Sequence, residues 1–243
     1  MARYADVTPW QVRQIWKAAD LRPHRLKTFK VSTDPAFADK VVDIVGLYMS
    51  PPDNAVVLSV DEKAQIQALD RTQPGLPLNP SRIGSRTHDY KRNATATLYA
   101  AFNTLTARVI GKVTNKTNAK EFLSFLKLLN RRFSAGKDPH IILDNLSAHK
   151  TPAVHEWLDA HPRIHLHFTP TSSSWLNAVE GWFAQLERRA LYRGVFTSAP
   201  ELKAELRQFT KIHNANSAKP FKWTKPASNI IAAVGRAKPA LHH

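Results

Sequence analysis

Three acidic residues, Asp61, Asp144 and Glu180, occur in local patterns that could bring their carboxylates together. The first two each close a short apolar run, at 56–60 and 140–143. An acid in that position lies at the rim of a sheet, where open α/β sheets bind their ligands. Glu180 belongs to an amphipathic helical pattern and stands beside its apolar stripe, so it can point toward the same rim.

Converging carboxylates repel one another and raise one another's pKa values unless a cation lies between them. Mg²⁺ and Mn²⁺ prefer such oxygen ligands and keep positions for water and phosphate. In a two-metal site, the ions activate a nucleophile and stabilise the leaving oxygen of an in-line phosphoryl displacement. The three acids therefore indicate metal-dependent phosphoryl transfer, although each aspartate alone is more often a cap or a turn residue.

The composition favours a polyanionic partner. The chain has 243 residues, with 35 Lys and Arg against 19 Asp and Glu, a net charge of +16 and no cysteine. Such an excess of positive charge, spread over the sequence, favours nucleic acid over a membrane. The lack of cysteine excludes disulfides, thiolate zinc sites and cysteine nucleophiles. With no signal-like or membrane-length apolar run, we expect a cytoplasmic protein.

The first half of the chain predicts a meander of strands followed by a helix. Asn118 and Glu121 form a capping box, and apolar residues then recur on one helical face. The strands are expected at 56–60, 65–69, 95–102 and 108–113.

The second half alternates strands with helices, which predicts an α/β fold with a mixed sheet flanked by helices. The cap at Ser198, with Glu201 three residues later, opens the last predicted helix. The other elements are strands at 140–143 and 164–168, and helices at 152–157 and 176–190.

Distinctive sequences surround the three acids. They are Val60-Asp61-Glu62-Lys63, then Leu143-Asp144-Asn145 with His149 following, and residues 168–180, which read FTPTSSSWLNAVE. In these segments the chain resembles bacterial transposases of the insertion-sequence-630 family, in the superfamily that includes the mariner elements. The resemblance extends from about residue 8 to about residue 232.

This resemblance implies an RNase H-like catalytic domain over 53–232, with Asp61, Asp144 and Glu180 as the catalytic, metal-binding acids of a DDE motif. It implies two Mg²⁺ ions, replaceable by Mn²⁺, and cut-and-paste DNA transposition. Hydrolysis would free a 3′-hydroxyl at the element end, and transesterification would integrate it into target DNA. The implied partners are terminal inverted repeats, target DNA and a second copy of the chain in a synaptic homodimer.

The resemblance also divides the rest of the chain. Residues 1–30 match only the final helix of a bipartite helix-turn-helix region, and Thr8-Pro9 followed by helical apolar spacing predicts that helix. A basic linker is expected over 31–52 and a tail over 233–243. Mariner-type relatives have prolines near Ser174 and Ala178, and this chain has neither.

Several residues near the acids could support them. Asn145 and His149 could orient Asp144 or contact phosphate, or could simply cap and bond locally. Asn177 lies one turn before Glu180 and could support it or contact DNA.

Other residues could reach DNA directly. Lys63 follows the first acid, whereas its neighbour Glu62 should point to the opposite face of the strand. The segment at 88–93 is expected between strands and suits phosphate and base contacts, or is a solvated turn. Its candidate DNA-binding residues are His88, Tyr90, Lys91 and Arg92.

Two other functions remain open on the sequence. One is an RNase H-like nuclease that cuts DNA without strand transfer. The other is a non-catalytic DNA-binding remnant of a transposase.

Overall fold

The computed structural model describes residues 32–71, 90–192 and 194–237, together with positions 8, 10 and 14. The chain separates into two compact units, 1–31 and 32–243. The predicted helix-turn-helix remnant lies outside the described residues except at those three positions, of which Trp10 and Gln14 are helical. All the elements below belong to the second unit.

A five-stranded mixed sheet forms the centre of this unit. Its strands are β1 (Ala55–Arg71), β2 (Tyr90–Asn103), β3 (Val109–Thr114), β4 (Asp138–Leu143) and β5 (His165–Phe168). Their order across the sheet is β3-β2-β1-β4-β5. The pairs β1–β2 and β2–β3 are antiparallel, whereas β1–β4 and β4–β5 are parallel. The mixed sheet predicted from the sequence is confirmed.

Six helices flank the sheet in the described residues. Two of them begin at the predicted caps, where Asn118 Oδ1 accepts a hydrogen bond from the Glu121 amide at 2.9 Å and Ser198 Oγ accepts one from the Glu201 amide at 3.4 Å. No helix in the described part of the chain is long and apolar enough to cross a membrane. The helices are α1 (Phe37–Met49), α2 (Ala119–Arg132), α3 (Pro152–Asp159), α4 (Val179–Leu186), α5 (Ala199–Ile212) and α6 (Ala227–Ala237).

The segment expected as a linker over 31–52 contains α1, so that expectation is corrected. Val41 and Ile44 of this helix are fully buried, one against α6 and the other against the sheet. Apolar residues at helical spacing decide the conformation here, and the basic residues that suggested a linker lie before them. The expected tail over 233–243 is also corrected in part, because α6 continues to Ala237.

The two strands predicted at 56–60 and 65–69 are one strand with a β-bulge. The register of β1 against β2 shifts between Lys63 and Ile66, and Gln65 has a φ of 51°. A bulge adds one residue and so exchanges the faces to which successive side chains point. After it, Ile66 and Ala68 pack on the face covered by α4 and α5.

Both faces of the sheet are covered. Leu58 and Val60 point to the core formed with α2 and α3. Val57 points to the opposite face, against α1. Strict alternation before the bulge therefore places Ser59 and Asp61 on the side of α1 and α4, and Glu62 on the side of α2.

Candidate active site

Asp61 and Asp144 both lie two residues beyond Ser59–Ile142, the last pair between the parallel strands β1 and β4. Asp144 follows the end of β4, whereas Asp61 lies within β1, which continues to Arg71. The register of β1 against β4 is constant from Ala55–Asp138 to Ser59–Ile142. Continued by two residues, it places Asp61 beside Asp144, the residue that directly follows β4. Because adjacent strands lie about 4.8 Å apart, the two carboxylates share one rim of the sheet.

Glu180 lies in the first turn of α4, and the residues before this helix are bonded to β1. Asn177 Nδ2 donates to the Val60 carbonyl at 2.9 Å, and Ser59 Oγ donates to Asn177 Oδ1. Ser59 is fully buried and Asn177 is 2% exposed. The helix that carries Glu180 is therefore anchored to the strand immediately before Asp61.

Further hydrogen bonds reinforce this anchor. Ser59 Oγ accepts from the Val179 amide at 2.9 Å. The Tyr48 hydroxyl of α1 donates to the Leu176 carbonyl at 2.8 Å and accepts from the Ala178 amide at 3.3 Å. Since these bonds engage the backbone on both sides of the α4 start, they fix its position relative to β1.

The electrostatic environment of Asp61 is unfavourable for a lone carboxylate. Burial raises the pKa of Asp61 to about 7, and the nearby charges of Glu62, Glu180 and Asp144 add to the increase. A hydrogen bond from the Glu62 amide at 2.8 Å opposes it. Carboxylates gathered in this way are a donor set that suits a hard cation such as Mg²⁺.

The three carboxylates share a rim without forming a closed metal cage. Among the described residues, no three His, Asp or Glu side chains stand in an arrangement that could hold a metal ion. Glu180 is exposed and makes no hydrogen bond or ion pair with another described side chain. Asp144 is 45% exposed. Glu180 therefore has room to rotate toward Asp61, which is half-buried.

His149 contacts Asp144 from within the protein. It is 1% exposed, packs against Phe122 with ring centroids 4.1 Å apart, and places Nδ1 3.2 Å from Asp144 Oδ1. Its Nε2 lies 3.4 Å from Glu62 Oε2. The bond from His149 lowers the pKa of Asp144, and the Leu146 amide, 3.1 Å from Asp144 Oδ1, lowers it further.

His149 itself is held as a cation. Burial lowers its pKa, but the bonds and charges of Asp144 and Glu62 outweigh burial and raise the pKa to about 9. At neutral pH the imidazolium therefore lies between two carboxylates, that of Glu62 in β1 and that of Asp144 after β4.

Asn145 and Lys63 are both engaged within the protein. Asn145 Nδ2 donates to the Thr169 carbonyl and its Oδ1 accepts from Lys150 Nζ at 2.6 Å, so it ties the turn after β4 to the end of β5. Lys63 Nζ pairs with Glu187 Oε2 at 2.9 Å, beyond the end of α4. Direct DNA contact by either residue stays a prediction.

The candidate DNA-binding segment at 88–93 is described in part. His88 lies outside the described residues. Tyr90, Lys91 and Arg92 begin β2 and pair with β1, so the expectation that the segment lies between strands is wrong for them. The described structure does not extend to their side chains.

Three residues of this region were missed by the sequence reasoning as supports of the acids. Glu62 was predicted to face away from Asp61, as it does, but its contact with His149 was not foreseen. Ser59 and Tyr48 were not singled out. Alternation along β1 could have indicated Ser59, which shares a face with Asp61, whereas Tyr48 lies in the segment taken for a linker.

Known proteins resemble the chain in sequence and in fold. The insertion element IS630 uncharacterized 39 kDa protein of Shigella sonnei is 27% identical over 95 residues, which cover 39% of this chain and 28% of that protein. The chain thus matches less than a third of that relative's length. A Mos1 mariner paired end complex with Mn has a TM-score of 0.60 at 14% identity, covering 97% of this chain and 69% of the Mos1 chain.

The catalytic domain of Mos1 mariner transposase aligns with a TM-score of 0.52 at 15% identity, over 88% of this chain and 91% of that domain. These structural likenesses show the fold, and they confirm the RNase H-like architecture expected from the sequence. The stated resemblance to insertion-sequence-630 and mariner transposases is confirmed by the same matches.

A family model described as DDE superfamily endonuclease matches residues 58–203. The match covers more than half of the chain and includes Asp61, Asp144 and Glu180. The chain therefore belongs to the DDE superfamily of endonucleases.

Proposed function

We propose that this chain is the catalytic domain of a DNA transposase, which cleaves DNA at transposon ends and integrates the freed 3′ ends into target DNA. The observation that carries the proposal is the placement of the acids. Asp61 and Asp144 each lie two residues beyond the last β1–β4 pair, Ser59–Ile142, and the start of the helix of Glu180 is hydrogen-bonded to the strand of Asp61. A site assembled from three separate segments at one sheet rim suits phosphoryl transfer.

In this proposal Asp61, Asp144 and Glu180 hold two Mg²⁺ ions, or Mn²⁺ in their place. Bound there, such ions supply the Lewis acidity that activates water or a terminal hydroxyl and stabilises the leaving oxygen. Asp61 is the fixed ligand, because β1 and the Glu62 amide hold its carboxylate. Asp144 is oriented by His149 and the Leu146 amide.

Glu180 is the movable ligand of the site. Its backbone is fixed by the anchor at Asn177, but its side chain is exposed and unbonded to other described residues. Rotation of this one side chain toward Asp61 would bring the third carboxylate to the other two without displacing α4. The binding of DNA and metal would supply the attraction that drives this rotation.

DNA is the proposed partner on two grounds. The net charge of +16 favours a polyanion, and the Mos1 structure that the chain resembles is a paired end complex. A homodimer that brings two transposon ends together is part of the same proposal. Its binding should weaken steeply as salt increases, because phosphate contacts release counterions.

A strand-transfer assay tests the proposal. The full chain is incubated with a pre-cut transposon-end duplex, a target plasmid and Mg²⁺ or Mn²⁺, and joined products are resolved on gels. Joined products should require the metal and should disappear in Asp61→Asn, Asp144→Asn and Glu180→Gln. Asp159→Asn, an exposed acid at the end of α3, is the matched control and should retain activity.

Other products would identify the two alternative functions. Cut products without joined ones would indicate a nuclease. Salt-sensitive DNA binding with neither product, unchanged by removal of metal, would indicate a non-catalytic remnant. Equal strand transfer in the three acid variants would contradict the proposed site.

A further inference from the structure

A cavity of about 600 Å³ opens beside α4, next to the helix turn that carries Glu180. One side is formed by α4, including Gly181, and the other by the residues that follow α5, up to Lys222. The proposed metal ligands do not line it. It is therefore a separate recess adjacent to the proposed active site.

Cationic side chains line this cavity. Arg189, Lys219 and Lys222 are exposed and form no ion pair with another described residue, and no Asp or Glu is among the lining residues. Unpaired cations in a concave, acid-free surface attract anions, and Arg and Lys are common ligands of phosphodiesters. The charge therefore favours a phosphate-bearing ligand.

The inner wall of the cavity is aromatic. Trp182, Phe102 and Phe221 all line it, and the last two are in edge contact with ring centroids 6.3 Å apart. Trp182 is 1% exposed and Phe102 is 8% exposed, so both belong to the core behind the cavity surface. Phe221 is half-buried, and its ring is the aromatic surface that a ligand can contact. An accessible aromatic ring suits a nucleobase.

Gly181 leaves the cavity open on the side of α4. A Cβ at this position would meet no atom within 4 Å, so a side chain would enter open space. Glycine inside a helix is destabilising relative to alanine. The small residue thus preserves room in the cavity at some expense of helix stability.

We propose that this cavity binds one unpaired nucleotide of the DNA strand that passes Glu180. The phosphate contacts Arg189, Lys219 and Lys222, and the base lies against Phe221. A base within a duplex is stacked and paired, so the nucleotide must be at a single-stranded end or displaced from the helix. The inference rests on the proposed function, because it assumes a DNA strand at the rim.

The test compares a fluorescent duplex that ends in a short single-stranded overhang with a blunt duplex of the same sequence. Dissociation constants are measured by anisotropy with EDTA present, so that no DNA is cut. The wild-type chain should bind the overhang duplex roughly tenfold more tightly, as expected for stacking of one base plus a phosphate contact. Lys219→Ala combined with Lys222→Ala should reduce this preference to near one.

Two controls separate the cavity from general charge and from folding. Lys120→Ala with Lys127→Ala removes the same charge from exposed positions of α2 and should keep the preference. Gly181→Leu should abolish the preference by filling the cavity without loss of charge, whereas Gly181→Ala should largely keep it. Both helix variants should melt at or above the wild-type temperature.

The proposal is overturned if the wild-type chain shows no preference, or if the preference survives in both the lysine pair and Gly181→Leu. Failure of the proposed function would be seen elsewhere, as absence of strand transfer with Mg²⁺. The two failures are distinguishable because the binding measurement involves no catalysis.

Discussion

His149 and Glu62 are in contact inside the protein, with His149 Nε2 3.4 Å from Glu62 Oε2 and their side chains 1% and 9% exposed. Because the other imidazole nitrogen lies 3.2 Å from Asp144 Oδ1, His149 links Glu62 of β1 to the acid that follows β4. A buried charge on Glu62 is tolerated because a cation faces it. The pair therefore contributes to stability as well as to the position of Asp144.

Replacement of His149 by alanine tests this role. His149→Ala would leave the buried Glu62 carboxylate without its cation and a gap beside Phe122. The free energy of unfolding should fall by about 2–4 kcal/mol, as measured by urea denaturation at pH 7. His155→Ala removes an exposed histidine of α3 and should change it by less than about 0.5 kcal/mol. Equal losses of unfolding free energy in His149→Ala and His155→Ala would show that the contacts of His149 with Glu62 and Asp144 do not contribute to stability.

Ser59 is predicted to position Glu180 through Asn177. Ser59→Ala leaves Asn177 Oδ1 and the Val179 amide without their buried partner. The expected loss is about 1–3 kcal/mol of unfolding free energy, together with reduced strand transfer. Ser174→Ala, at an exposed position of the same connection, is the control and should change neither quantity. A variant as stable and active as wild type would exclude the anchor as a determinant of the site.

The sequence predicted the parts of the fold that depend on interactions between residues close together in the chain. Short β-rich and apolar runs located the strands, and the caps at Asn118 and Ser198 are visible as residue pairs three positions apart. The bulge at Gln65 could not be predicted from the sequence. It is defined by a shift in the pairing of β1 with β2, and no local sequence pattern reveals that pairing. The helix α1 was missed because the basic residues before it were given more weight than the apolar spacing within it.

The candidate site was predictable to a similar degree. Asp144 follows a strand that the sequence pattern marks, but the expectation that Asp61 also ends a strand is wrong, because β1 continues past it to Arg71. What ends just before Asp61 is the pairing of β1 with β4. The contacts of His149 with Glu62, and of Ser59 with Asn177, join residues far apart in the chain. Without coordinates or covariation, nothing in one sequence selects such partners.

Arg163 is predicted to stabilise the junction between α2 and β4. Its guanidinium donates to the carbonyls of Asn130 at 2.6 Å, Ser134 at 2.7 Å and Lys137 at 3.0 Å. Carbonyls at a helix end lack helical partners and favour a cation. Arg163→Ala should lower the unfolding free energy by about 2–3 kcal/mol. Arg163→Lys should recover little of the lost unfolding free energy, because a lysine ammonium cannot donate hydrogen bonds in the planar arrangement of a guanidinium.

His140 should make a destabilising contribution at acidic pH. Burial lowers the pKa of His140, and the charges of His167 and His165 lower it further, while Asp138 and Asp43 oppose them. The unfolded chain therefore takes up a proton at higher pH than the folded one does. The contribution of His140 is present above about pH 6.5, the ordinary histidine value, and is lost as pH falls through its lowered folded pKa.

Melting temperatures measured from pH 7.5 to pH 5 check this prediction. As pH decreases over that interval, the wild-type temperature should fall relative to that of His140→Gln. The raised pKa of Asp61 acts in the opposite direction but equally in both proteins, so the difference between the two curves reports His140. The control is His155→Gln, an exposed position that should retain the wild-type slope. Parallel curves for wild type and His140→Gln would contradict the assignment.

The most direct test of the central claim is the position of Mn²⁺ in crystals of the chain with transposon-end DNA, located by anomalous scattering. We expect manganese at the rim of the sheet, with carboxylate oxygens of Asp61, Asp144 and Glu180 all at coordination distances of about 2 Å. Glu180 should have rotated toward Asp61 while α4 stays bonded to Ser59 and Val60. Manganese bound elsewhere, or at the rim with Glu180 still directed into solvent, would contradict the account.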